Sequence, residues 1–112
     1  MAQTEHATGS QTAVIGTEHT LNPTTPDTTT GMFQLFVDLG NMVAGDFVEI
    51  RLKRKVVSAG SLRQVIIGAR AGAQSDPCWA SPAFLLRHGW DMTLKQTAGT
   101  GRVFPWSIEK VA

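Results

Sequence analysis

The sequence predicts an all-β fold, a small antiparallel β-sandwich of jelly-roll-like type or a barrel, on three observations. Apolar residues recur at every second position in several short segments, glycine- and serine-bearing turns separate those segments, and no stretch carries a 3.6-residue period. A strand with one apolar face needs a second layer to bury it against, and five or six short strands close most economically as a sandwich or barrel.

The chain is 112 residues long, enough for a single core and too short for a second. Charged residues make up 17% of it, below the ~25% of ordinary soluble domains, and Thr, Ser, Gln and Gly take their place. A formal net charge of +1 excludes bulk electrostatic capture of nucleic acid or an anionic membrane. Cys78 is the single cysteine, so no intramolecular disulfide is available and packing must hold the fold, as suits a reducing cytoplasm. Met1 to His6 lacks the basic cluster and apolar core of a signal peptide, and no apolar run approaches the ~20 residues that span a bilayer. The expectation is a soluble, unexported chain with no membrane partner and no cofactor.

Residues 1–30 differ from the rest. They hold ten threonines together with Pro23 and Pro26, and such a stretch buries too little apolar surface to order itself. It reads as an N-terminal arm that orders against a neighbouring subunit, with Ala13 to Leu21 as the segment able to add a strand to a sheet edge; Val14, Ile15, Thr17, His19 and Leu21 are its partner-interface candidates.

The sandwich domain is expected over 31–112. Phe33, Leu35, Val37 and Leu39 alternate with Gln34, Phe36 and Asp38 as a strand with one apolar face, and Asn41 to Gly45 reads as a turn. Val48, Ile50 and Leu52, with Val56 at the limit of the pattern, then face inward while Glu49, Arg51, Lys53 and Lys55 face out. Leu62 to Ala71 places Val65, Ile66 and Ile67 in succession, as in a strand covered on both sides or one at a sheet corner. Ser75 to Pro82 is expected to be a long irregular connection, because Pro77 and Pro82 remove donors. Trp90 to Gln96 and Arg102 to Ile108 alternate on either side of Thr97 to Gly101 and read as a closing hairpin.

Few residues carry chemistry. Arg51, Lys53 and Lys55 share a strand face that could meet phosphate or an acidic protein surface; the plainer reading is a solvated face that deters edge pairing. The glycines of Thr97 to Arg102 lack the following helix and Lys-Ser or Lys-Thr step of a phosphate loop. His6, His19 and His88 show no zinc spacing, Asp76, Asp91, Glu49 and Glu109 are isolated along the chain, and Cys78 reads as a buried or interface thiol. Trp90 and Trp106 belong to the core by their alternation. Trp79, between the two prolines, either covers the core or anchors a partner.

Three stretches together resemble a known family: Thr29 to Asp38, Asn41 to Arg51, and above all Leu94-Lys95-Gln96-Thr97-Ala98-Gly99-Thr100-Gly101-Arg102-Val103-Phe104-Pro105-Trp106. They resemble small virion structural proteins of tailed bacteriophages, over about residues 17 to 110. The resemblance implies a capsid decoration (cement) protein, a non-enzymatic subunit at the capsid surface of a virion made in the host cytoplasm. It would bind the major capsid protein and neighbouring copies of itself as a homo-oligomer, with no catalytic residue, no metal and no specific nucleic acid. The alternatives are a tail, neck or adaptor subunit of the virion and a carbohydrate- or nucleic-acid-binding β module using Trp79 or the Arg51, Lys53, Lys55 face.

Overall fold

The computed structural model describes residues 3–111, which form nine strands and no helix. They are β1 (Gln3–Thr12), β2 (Glu18–Thr20), β3 (Gly31–Asp38), β4 (Phe47–Lys55), β5 (Leu62–Ala71), β6 (Cys78–Ala80), β7 (Phe84–Leu86), β8 (Trp90–Ala98) and β9 (Val103–Val111). A front sheet runs β1-β9-β3-β6, with β7 also on β3, and a back sheet runs β2-β8-β4-β5. Every pairing is antiparallel. Successive strands mostly alternate between sheets, and with β6 and β7 sharing one position this is the eight-place order of a jelly roll. The fold expected from the sequence is the one observed.

Period-two patterning sets the core. Phe33, Leu35 and Val37 of β3 and Phe104 and Ile108 of β9, all from the front sheet, meet Val48, Ile50, Leu52, Trp90, Met92 and Leu94 from the back. Each such side chain stabilises the fold by ~1.5–3 kcal/mol through burial. Trp90 is fully buried and Trp106 packs against the cluster, as their alternation predicts.

Several expectations are corrected. Residues 3–30 are not an arm apart from the sandwich: Gln3–Thr12 pairs along β9 of its own chain, and Glu18–Thr20 pairs with β8. Strand β1 escapes the apolar pattern because, opposite Trp106, it carries Gly9, where an added Cβ would lie 3.2 Å from the Trp106 ring. Trp106 fills the space that a β1 side chain would otherwise take.

The β8–β9 connection is an arch between sheets rather than a hairpin, since β8 pairs with β2 and β4 while β9 pairs with β1 and β3. Strand β5 is neither doubly covered nor a corner strand. It lies at the open edge of the back sheet, with Val65 and Ile66 exposed and Ile67 bulged where the register to β4 slips. Val56 likewise points out of the core. The Ser75 to Pro82 connection contains a short strand, and its Trp79 is buried against Gly68, where any side chain would collide with the indole. Trp79 therefore covers the core and offers no partner anchor.

Candidate functional site

The alternation of strands between sheets gathers the β1–β2, β3–β4, β5–β6 and β8–β9 connections at one end of the sandwich. Asp46, in the β3–β4 turn, ties them together. Its side chain is buried, and its Oδ2 accepts hydrogen bonds from the Val43 amide at 2.9 Å and from Arg102 Nε at 2.8 Å. Oδ1 accepts from the Thr100 amide at 3.4 Å, and the Asp46 carbonyl accepts from Gly72 N–H at 2.8 Å. The Arg102 guanidinium and the Val43 amide together outweigh burial and hold the Asp46 carboxyl below the usual carboxylate range.

Gln96 is the second tie. It is fully buried, its Oε1 accepts the Arg102 amide at 3.0 Å, and its Nε2 donates to the Ala98 and Thr100 carbonyls at 3.0 and 2.8 Å. Its own carbonyl accepts Gly16 N–H at 2.8 Å, and Ala13 N–H donates to the Arg102 carbonyl at 2.8 Å. Asn41 Nδ2 reaches the Val103 carbonyl at 2.8 Å. Gly99 adopts φ 89°, and any side chain there would run into Asp46.

On this fixed base sit Val14, Ile15, Val43 and Val103, each between 40% and 59% exposed. Scattered exposed apolar residues are ordinary; here Val14, Ile15 and Val43 on loops and Val103 at the start of β9 gather at one end of the sandwich, on a base cross-linked by buried polar groups. We refer to this cluster as the crown.

The sequence candidates divide on this geometry. Val14, Ile15 and Thr17 are exposed in the crown corner. His19 is half-buried and accepts the Val14 amide at its Nε2, 3.1 Å away, while Leu21 is buried in the core and unavailable to a partner. Val43, Val103, Asp46 and Gln96 were not singled out by the sequence.

The basic face is not free. Lys53 Nζ donates to Glu18 Oε1 at 2.9 Å, while Arg51 lies 3.7 Å from Glu18 and 3.3 Å from Glu49. Thr93 Oγ1 also donates to Glu18, at 2.6 Å. Burial pushes the Glu18 carboxyl up, but Thr93, Lys53 and Arg51 outweigh it and hold it below its ordinary value. The segment predicted to seek another subunit thus brings the carboxylate that consumes two of the three cations. Lys55 is half-buried at the end of β4, where its amide donates to the Gly89 carbonyl at 3.0 Å.

A third polar group lies toward the opposite end of the molecule. His6 Nε2 and Asp27 Oδ2 are 2.7 Å apart, Asn22 Nδ2 donates to the same oxygen at 3.1 Å, and the His6 ring packs on Phe33 and Trp90. Burial alone would raise the Asp27 carboxyl, yet His6, Thr29 and Asn22 hold it below its usual value. Asp91 is buried with Oδ1 unpartnered, and burial pushes its carboxyl up to about 6 against the pull of the Asp27 amide and Lys53.

The outer face of the front sheet carries a shallow groove of about 300 Å³ walled by Phe36, Asp38, Cys78, Pro105, Trp106 and Ser107. Cys78 is exposed there, so it is not the buried thiol of one sequence reading. Among the described residues no three His, Cys, Asp or Glu side chains gather as metal ligands.

No protein-family model, curated protein or solved structure matches this chain.

Proposed function

We propose that this chain is a structural subunit of a tailed-phage virion, a capsid decoration (cement) protein that binds the major capsid protein shell and stabilises the head. The observation that carries the reading is the crown: apolar side chains from two connections and from the first residue of β9, held in place by Asp46 and Gln96 so that docking orders little new chain. The motif resemblance over Leu94 to Trp106 supports it, and that stretch contains the arch from which the crown is built. The jelly-roll strand order also suits it, by analogy at the level of fold alone.

In this role the subunit binds its neighbours and catalyses no reaction. Many copies of a small rigid clamp, each touching more than one shell protein, gain holding power through avidity. The carbohydrate- or nucleic-acid-binding alternative loses support from the burial of Trp79 and the internal pairing of Arg51 and Lys53.

The test is reconstitution. Heads assembled by the phage with this gene disrupted should bind the purified protein at a copy number on the scale of the shell subunits, and should then survive heating that bursts bare heads. Binding as a small ring at one vertex would move the subunit to the neck or tail, and no binding to any particle would remove the virion reading.

A further inference from the structure

The described residues leave four sheet edges. Strand β2 is three residues long, and the β6/β7 edge is broken into two three-residue pieces. The other two edges, β1 and β5, are each ten residues long. Strand β1 is polar apart from Ala7 and Gly9, whereas β5 reads Leu-Arg-Gln-Val-Ile-Ile-Gly-Ala-Arg-Ala. It has no proline, lysine or acidic residue to deter pairing. Among the described residues nine large hydrophobic side chains are exposed, and four of them (Val56, Val57, Val65 and Ile66, at 51–68%) lie on β5 or the turn leading into it.

We infer that β5 is a self-association edge, pairing antiparallel with β5 of a second copy about a two-fold axis at Gln64. An antiparallel strand edge is complementary to itself, because one row of backbone donors and acceptors serves both partners. The bulge at Ile67 leaves Leu62–Ile66 regular. Leu62, Gln64 and Ile66 lie opposite Lys55, Lys53 and Arg51 on the outer face, and Arg63 and Val65 lie opposite Arg54 and Leu52 on the inner face.

A dyad at Gln64 sets Leu62 of each copy against Ile66 of the other, and Arg63 against Val65, so both faces match. Charge selects the register. A dyad between Ile66 and Ile67 would place Arg63 against Arg70, the only charged residues of the strand, and opposed like charges are disfavoured. Gln64 is also midway between Val56 and Gly72, so each exposed valine turn comes toward the Ala69–Ala71 end of the other copy.

The ladder formed in this register is Leu62–Ile66 against itself, five residues or ~17 Å. The valine turns, facing Ala69–Ala71 of the other copy, extend the contact along the rest of the edge. The contact is at the small end of specific interfaces, as suits a dimer that dissociates on dilution. A shell protein on the same edge is the competing occupant, and it would leave the free protein monomeric.

The inference goes beyond the virion reading and does not depend on it, because the test needs no heads. Sedimentation of the full chain should give twice the 12.1 kDa monomer mass at micromolar concentration. V65K sets a lysine opposite Arg63 of the other copy and should weaken the dimer at least about tenfold, whereas V65E sets a carboxylate there and should keep it. Both positions of the pair are exposed, and circular dichroism checks that each variant folds. Q64C in a C78S background should form a disulfide-linked dimer on mild oxidation, since directly opposed strand residues have Cα separations within disulfide range. E5C on the β1 edge in the same background should not. A monomer at all concentrations, equal dimerisation of V65K and V65E, or no crosslink at Q64C would each overturn the proposal.

Discussion

The outer face of the back sheet and the crown use charge and hydrophobicity in opposite ways. On the back sheet the charged residues that stand out in the sequence, Arg51 and Lys53, are turned onto Glu18 and Glu49, and little of that charge is left for a partner. In the crown the charged and amide groups are hidden, and valine and isoleucine are shown. A concentrated basic run therefore marks an internal seam here, while apolar residues within turns mark the outward surface. Polar networks can serve as scaffolding for an apolar contact as readily as apolar cores serve as scaffolding for a polar site.

The largest loss is expected at Asp46. D46A removes three side-chain hydrogen bonds and leaves Arg102 without its partner, so it should cost ~2–4 kcal/mol in chemical denaturation. It should also loosen amide exchange across 98–103 before the β3 core responds. Equal loss of protection in both places would mean that Asp46 supports the whole fold and not the crown alone.

Asp91 supplies a gain. Folding raises its pKa from an ordinary 3.8 to about 6, so the fold favours the protonated acid. That contribution is intact below about pH 4 and lost as pH rises through 6. D91N should accordingly stabilise the protein by ~1–3 kcal/mol at pH 7, with little change at pH 4. A pH-independent effect in paired melts at the two values would show that the buried carboxyl is not the cause.

E18A should cost ~1–2 kcal/mol, because it frees Lys53 and Thr93 and leaves Arg51 with Glu49 alone. It should also convert the seam into a basic patch that binds heparin more tightly at low salt than the wild type does. If heparin retention did not change, the claim that Glu18 neutralises the face would fail.

The smallest effect on stability belongs to the crown surface itself. V14K and V103K should move stability by no more than ~0.5 kcal/mol, since both residues are exposed. They should still abolish binding to heads, and retained binding would place the docking surface elsewhere.

Strands with strictly alternating apolar residues were readable from sequence, namely β3, β4, β8 and β9, and with them the sandwich. What escaped depends on residues far apart in the chain. Strand β1 looks like a tether because Gly9 yields its space to Trp106, a debt visible only across 97 residues of chain. The β8–β9 segment fits a hairpin and an arch equally well by pattern, and the arch is fixed by Asp46, about fifty residues upstream of it. The Val65-Ile66-Ile67 run suggests burial, yet an open edge with a bulge accommodates the same residues. Of the interface candidates, Val14, Ile15 and Thr17 stand where a partner can reach them. Val43 and Val103 give no signal in the sequence, because a single apolar residue beside a turn carries no period.

Strand β1 ends at the crown, where Thr12 faces Val103, and begins at the far limit of the same ladder, where Gln3 faces Val111. Over that ladder the chain travels ~30 Å. Gln3 and Val111 thus lie side by side on the pole remote from the apolar cluster. A partner docked on the crown would leave that pole facing away from it, so the two ends of the body can be loaded independently.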